Sequence, residues 1–261
     1  MLKLAANLSF LFTEQDFLGR FAAAADAGFT AAEYLFPYEY EKETLKSLLS
    51  DHNLSQALFN LFPGDWEKGE RGIASLENRT DAFKASVHQA LEYADVLECK
   101  KLHIMSGLKS ETLAPPAQRE TYLQNLNWAA EQVAGSDIVF TIEPINSVDM
   151  PGYFLSDFDD AANIVEEIGS SNLRLQFDFY HCQRIYGEVL PRLKKYLPIT
   201  AHIQLASPPH RNEPGVGDLD YLQLLSYLEE ASYDGYVGCE YKPATTTLNS
   251  FNWAEKYLKT V

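Results

Sequence analysis

Four stretches of this sequence each end an apolar run on an oxygen-bearing side chain. They are Glu143 in Phe140-Thr-Ile-Glu-Pro-Ile-Asn146, Asp178 in Leu175-Gln-Phe-Asp-Phe-Tyr-His181, Gln204 in Ala201-His-Ile-Gln-Leu-Ala206, and Glu240 in Gly238-Cys-Glu-Tyr-Lys242. Successive side chains on a strand point to opposite faces, so one polar residue between apolar neighbours faces away from them. Three carboxylates brought together repel one another and hold their protons more tightly, unless a cation sits among them. Three carboxylates and an amide oxygen make an all-oxygen donor set, suited to Mg²⁺ or Mn²⁺ rather than Zn²⁺. This predicts Glu143, Asp178, Gln204 and Glu240 as metal ligands. A divalent ion beside two opposed glutamates suits proton transfer next to a carbonyl. The ion steadies an enediolate oxygen, one glutamate takes a proton and the other returns it. Glu143 and Glu240 are the expected pair, because two other strands separate theirs.

Further groups extend the constellation. His181 is expected to hydrogen-bond a substrate oxygen, while His202, deeper on its strand, reads as a satisfied core histidine. Arg211, on a Pro/Gly-braced loop after the seventh run, has the reach to bind a carboxylate. Arg71 and Lys242 are further candidate cations for an anionic substrate. The aromatics Phe10, Phe12, Phe36, Tyr38, Phe59, Phe62 and Trp66 stand at or after the ends of the first three apolar runs. They fit either a pocket wall or simple loop packing.

Positioning these groups at one place requires a repeating scaffold. Apolar runs near 2–9, 31–36, 55–61, 100–106, 138–145, 173–180, 199–206 and 235–241 read as eight strands. Amphipathic stretches separate them. Apolar residues recur at helical spacing in 16–27, 80–97 and 157–168. Thr80 and Asp157 stand as N-caps, and Gly28 and Gly169 as stops. Eight strand–helix units in a chain of 261 residues predict an α/β fold, a single-domain (β/α)₈ barrel over 1–261. An open doubly wound sheet is the alternative, but no Gly-x-Gly-x-x-Gly turn follows an early strand. In a barrel the C-terminal strand ends build the active site, and the four polar residues stand there. The irregular stretches 62–79 and 206–217 are long for idle connections and suit a lid or pocket wall.

Composition narrows the classes. Twenty-one Lys and Arg against 37 Asp and Glu give a formal net charge of −16, contrary to a nucleic-acid surface. Three widely spaced cysteines (Cys99, Cys182, Cys239) form neither a disulfide framework nor a zinc pattern, and read as buried neutral thiols. No apolar run reaches the ~18 residues of a membrane span, and the N-terminus lacks a signal-peptide pattern. A reducing cytoplasm is the expected home. Nothing in the chain fixes its oligomeric state, although association as a homo-oligomer through the loops suits such barrels.

The chain resembles the hydroxypyruvate isomerase family, within the xylose-isomerase-like metal-dependent barrels. The likeness runs from Ala-Asn-Leu-Ser at 6–9 through Phe-Pro-Tyr at 36–38, Pro-Gly-Asp-Trp at 63–66 and Gly-Glu-Arg-Gly at 69–72. It continues in Glu-Pro-Ile-Asn at 143–146, Gln-x-Asp-x-x-His at 176–181, His-x-Gln at 202–204, His-Arg-x-Glu-Pro-Gly at 210–215 and Val-Gly-Cys-Glu-Tyr-Lys-Pro at 237–243. The resemblance implies reversible interconversion of hydroxypyruvate and 2-hydroxy-3-oxopropanoate, with a divalent metal and no organic cofactor. It implies Glu143 and Glu240 as the catalytic glutamates, and Glu143, Asp178, Gln204 and Glu240 as ligands. Related sugar epimerases carry a His where this chain has Gln204, which favours the hydroxypyruvate-like branch. A similar group isomerises 2-oxo-tetronates, one carbon longer, by the same enediol chemistry. A barrel endonuclease and a non-catalytic hydroxy-acid binder are the readings from other classes.

Overall fold

The computed structural model describes residues 1–258; the expected domain of 1–261 extends three residues beyond these. Eight parallel strands close on themselves in sequence order. They are β1 (Lys3–Asn7), β2 (Ala31–Tyr34), β3 (Ser55–Asn60), β4 (Lys101–His103), β5 (Val139–Ile142), β6 (Leu173–Asp178), β7 (Thr200–Leu205) and β8 (Tyr236–Cys239). The ring is sealed by β1 pairing with β8, Lys3 opposite Tyr236 through Ala6 opposite Cys239. Every expected strand is present and each is shorter than its apolar run. The sixth is the clearest case: Phe179 and Tyr180 already belong to a helix.

The helices are α1 (Gly19–Asp26), α2 (Lys42–Asp51), α3 (Thr80–Leu97), α4 (Pro115–Gln132), α5 (Phe158–Ile168), α6 (Phe179–Tyr186), α7 (Val189–Tyr196) and α8 (Tyr221–Glu230). Their distribution departs from one per strand. Two follow β6, and β8 is followed, among the described residues, only by the 3₁₀ turns Leu248–Ser250 and Asn252–Ala254. Asp157 caps α5 as expected, its carboxylate accepting the Asp160 N–H at 2.9 Å. Gly169 ends that helix at φ +64°, where a side chain would be strained. Thr80 is not the cap of α3 but its first residue, and its hydroxyl donates to the Glu77 carbonyl. No helix is long and apolar enough to cross a membrane among the described residues. The three cysteines are free and buried; burial raises the thiols of Cys99 and Cys182 to about 12.

The apolar core lies between the strands and the helix ring. Phe177 faces outward from β6 and packs on Phe158 of α5, ring centres 4.8 Å apart, and on Tyr196 of α7. The bore is different. Branched aliphatics usually fill a barrel of this kind. Here its floor is a small separate cluster of Ala5, Ala31 and Ala57, with Tyr236 against it. Above the floor stands a polar tier that includes Asn7, Glu33, Thr141, Gln176, His202 and Gln204, all essentially buried.

Candidate active site

The C-terminal strand ends surround a cavity of about 180 Å³. Register places Asp178 opposite Gln204, and Gln204 opposite Gly238. Glu143 and Glu240 each sit one residue beyond a strand, on β5 and β8, with the inward parity of Thr141 and Gly238. Glu143, Gln204, Glu240, His181 and Arg211 line the cavity, and Asp178 is fully buried beside it. Phe10, Phe36 and Trp66 wall it as well. The other aromatics divide. Tyr38 and Phe62 line a neighbouring groove that shares Phe36 and Trp66, while Phe12 packs on Phe29 and Phe251 and Phe59 is buried beside Tyr38. Trp66 thus brings the irregular 62–79 stretch to the cavity wall.

The carboxylates face too little positive charge. Burial, then the charges of Asp178 and Glu240, pushes the Glu143 carboxyl well above its ordinary range. Its Oε1 is buried without a hydrogen-bond partner, and its Oε2 lies 3.8 Å from His103 Nε2. Burial raises Asp178 to about 6 despite the opposing pull of Arg211. Burial likewise raises Glu240 to about 8, although Arg211 Nη2 stands 2.5 Å from its Oε2. Asp178 also caps α6, its Oδ1 accepting the Tyr180 N–H at 2.7 Å.

Arg211 is held from several sides. Its Nε donates to the Glu240 carbonyl, and its guanidinium carbon lies 5.0 Å and 5.1 Å from the ring centres of Phe10 and Tyr180. Its backbone, at φ +60°, is tied by Lys242 N–H to its own carbonyl at 2.7 Å. Burial works against the guanidinium charge, yet Glu240, Asp178 and Glu143 together push its pKa upward.

The tautomer of His181 can be deduced. The Asn146 side-chain oxygen accepts the N–H groups of Val148 and Asp149, so its amide nitrogen faces His181 Nδ1 at 2.7 Å. The Asn146 backbone N–H points at the same nitrogen. Nδ1 is therefore the acceptor. Burial and Arg211 drive the His181 pKa well below its usual value, so the ring is neutral and Nε2 carries the proton. Nε2 lies 3.6 Å from Asp178 Oδ2. Glu143, Asp178 and His181 each offer an atom within 4.8 Å of the others. A protonated Nε2 makes His181 a donor there, not a metal ligand.

Two expected cations lie off the cavity. Arg71 donates to the carbonyls of Trp66 and Glu70 and stacks on the Trp66 ring 4.0 Å away, bracing the wall from behind. The exposed Lys242 side chain borders a separate groove with Ser9 and Glu14. Both sit near the right strand ends, but sequence does not reveal which way a loop residue turns. His202 is a core histidine as read, its Nε2 2.6 Å from Glu33 Oε2. His103 and Glu33 escaped the sequence reading. Each is a polar residue between apolar neighbours, Leu102 and Ile104 or Ala32 and Tyr34, the same signal that marked Glu143.

A family model described as xylose isomerase-like TIM barrel matches residues 21–257. The chain belongs to that family. A 2-oxo-tetronate isomerase from Cupriavidus necator is 46% identical, with 99% of each chain covered. A hydroxypyruvate isomerase from Escherichia coli is 41% identical, over 98% of this chain and all of that one. A solved structure from Brucella melitensis, described as an AP endonuclease of family 2, superposes with a TM-score of 0.96. It is 41% identical, and covers 99% of this chain and 100% of its own.

Proposed function

We propose that this chain is a metal-dependent isomerase of short 2-oxo-3-hydroxy acids, with hydroxypyruvate as the first candidate substrate. The observation that carries this is the pair Glu143 and Glu240, which stand on strands separated by two others and line one small cavity with raised pKa values. The isomerases among its full-length relatives support the reading.

The residues present fit a divalent cation. Three buried carboxylates share one guanidinium, and one Glu143 oxygen is buried with no donor. Glu143, Asp178, Gln204 and Glu240 would hold the ion. When bound, Mg²⁺ or Mn²⁺ would polarise the substrate carbonyl and steady negative charge on the enediolate oxygens. The remaining work belongs to side chains. Repulsion favours one proton shared between Glu143 and Glu240, and isomerisation needs that state: a carboxylate to take a proton and a carboxylic acid to give one. The base removes the proton on C3 and its partner returns one to C2. The hydroxyl proton passes from O3 to O2, so aldehyde and ketone exchange places and atoms balance. His181 Nε2–H donates to a substrate oxygen. Arg211, held between two aromatic rings, draws the substrate carboxylate. Phe10, Phe36 and Trp66 exclude water from the intermediate.

The four-carbon 2-oxo-tetronate is the second reading, favoured by the 46% identity to an isomerase of that name and by the aromatic groove adjoining the cavity. The reacting unit is the same, with one extra carbon beyond C3. The endonuclease name of the structural relative finds no support in this chain's net charge of −16. The three unpaired thiols suit a reducing cytoplasm.

Proton NMR of the Mn²⁺- or Mg²⁺-activated protein in D₂O, with hydroxypyruvate beside 2-oxo-tetronates, tests the proposal; the paramagnetic ion is removed before spectra are taken. Exchange at C3 with isomer formation is expected. Faster turnover of the four-carbon acid keeps the mechanism and changes the substrate. Silence with both, in folded metal-bound protein, overturns the assignment.

A further inference from the structure

Beneath the cavity, hydrogen bonds across the bore run in one direction. Glu33, on β2 and fully buried, accepts Asn7 Nδ2 at 3.0 Å and Gln204 Nε2 at 2.8 Å on one oxygen. Its other oxygen lies 2.6 Å from His202 Nε2. His202 Nδ1 is buried without a partner, so Nε2 is the ring nitrogen that meets the carboxylate and donates to it. On the far side, Gln204 Oε1 accepts Gln176 Nε2 at 2.7 Å, and Gln176 Oε1 accepts the Thr141 hydroxyl at 2.9 Å. A second observation shows how closely the bore is fitted around Glu33. Gly238, opposite Gln204 on β8, has no Cβ, and one built there would collide with both Glu33 carboxylate oxygens.

The direction of these hydrogen bonds matters because the two ends of an amide have nearly the same shape and opposite chemistry. The Glu33 oxygen that meets Gln204 is an acceptor, because Asn7, whose side-chain oxygen takes the Ser9 N–H, donates to that same oxygen through Nδ2. With Glu33 on one side, the Gln204 NH₂ must turn toward it, and the amide oxygen must turn toward Gln176 and the cavity. We propose that Glu33 is a positioning residue that fixes the Gln204 amide with its oxygen, and not its nitrogen, offered to the metal. This rests on the reading of Gln204 as a ligand. Gln176 makes one of the oxygen's hydrogen bonds and leaves a second lone pair for the ion. Gly238 supplies the space in which the Glu33 carboxylate sits.

Replacing Glu33 by Gln keeps the shape and removes the direction. An amide at 33 can donate to Gln204 Oε1, so Gln204 can turn its NH₂ group to the cavity. The test is Mn²⁺ titration of the metal-stripped full-length protein, with free Mn²⁺ read by electron paramagnetic resonance. Glu33→Gln is expected to weaken Mn²⁺ binding about tenfold or more, with folding checked by circular dichroism. Asn7→Ala removes a different hydrogen bond to the same carboxylate without touching Gln204. It is expected to lower the melting temperature while keeping Mn²⁺ affinity. Gly238→Ala reaches the same contact from β8 and is expected to weaken Mn²⁺, which serves if Glu33→Gln does not fold. Unchanged affinity in folded Glu33→Gln, or an equal loss in Asn7→Ala, overturns the proposal. A wild-type chain that binds no Mn²⁺ overturns both this proposal and the metal reading beneath it.

Discussion

On the outer side of β6, Phe177 is packed among Phe158, Phe179 and Tyr196. On its inner side, one residue away, Gln176 and Asp178 face a bore lined by carboxylates, amides and imidazoles. The outer layer rests on burial, which has no direction and tolerates imperfect geometry. The inner tier rests on donors meeting acceptors, where a wrongly turned amide costs both its own bond and its neighbour's. Stability therefore belongs mainly to the outside of the sheet, and chemistry to the inside. The three carboxylates at the mouth are where the inner side is least satisfied.

The contrast is broken most severely at the mouth. Glu143→Gln and Glu240→Gln are each expected to lower kcat by about 10²–10⁴ with the circular dichroism spectrum unchanged. Activity near wild type in either removes that residue from proton transfer. Glu143→Gln should also raise the melting temperature of the metal-free protein, because it deletes a carboxyl that burial and the neighbouring Asp178 and Glu240 disfavour and whose Oε1 has no donor. On the outer side, Phe177→Ala is expected to cost about 3–5 kcal/mol in denaturant unfolding, while the molecules that remain folded keep their KM.

A pH series sharpens the same contrast. Asp178 is raised from 3.8 to about 6, and Glu240 from 4.5 to about 8. The folded chain thus holds more protons than the unfolded one between these limits. Metal-free protein should lose stability as pH rises from about 4 to about 8, and added Mn²⁺ should flatten the loss. Melting curves in chelator and in Mn²⁺ across that range check the sign. The smallest effect is expected at the rim of the outer layer. Asp157→Ala removes the α5 cap and the acceptor of the Tyr186 hydroxyl, and should cost about 1 kcal/mol by chemical denaturation.

The outer layer was legible because burial writes itself as periodicity: α3 and α5 fall where their apolar residues recur. The polar strand ends were legible for the same reason in reverse, as Asp178 between Phe177 and Phe179 shows. What stayed hidden is partnership. Glu33, in Ala-Ala-Glu-Tyr, carries the same signal as Glu240, yet only the closed ring shows that it meets His202 and Gln204 across the bore. The placements of Arg71 and Lys242 were also out of reach, since the direction of a loop side chain is set by contacts far away in sequence. The absence of an α-helix after β8, among the described residues, belongs here too. β8 pairs with β1 in its own register, whether a helix or a 3₁₀ turn comes next in the chain.

That closure sets an order of events. β1 joins β8 across nearly the whole chain, Lys3 beside Tyr236, and the loop-closure entropy of such a span is about 5 kcal/mol. Glu240 arrives on the strand that makes this seam. A growing chain therefore has Glu143, Asp178 and Gln204 long before it has their counterpart. In the proposed mechanism the pair of glutamates first comes together when the ring is sealed, so a nascent or truncated barrel is expected to show no isomerase activity.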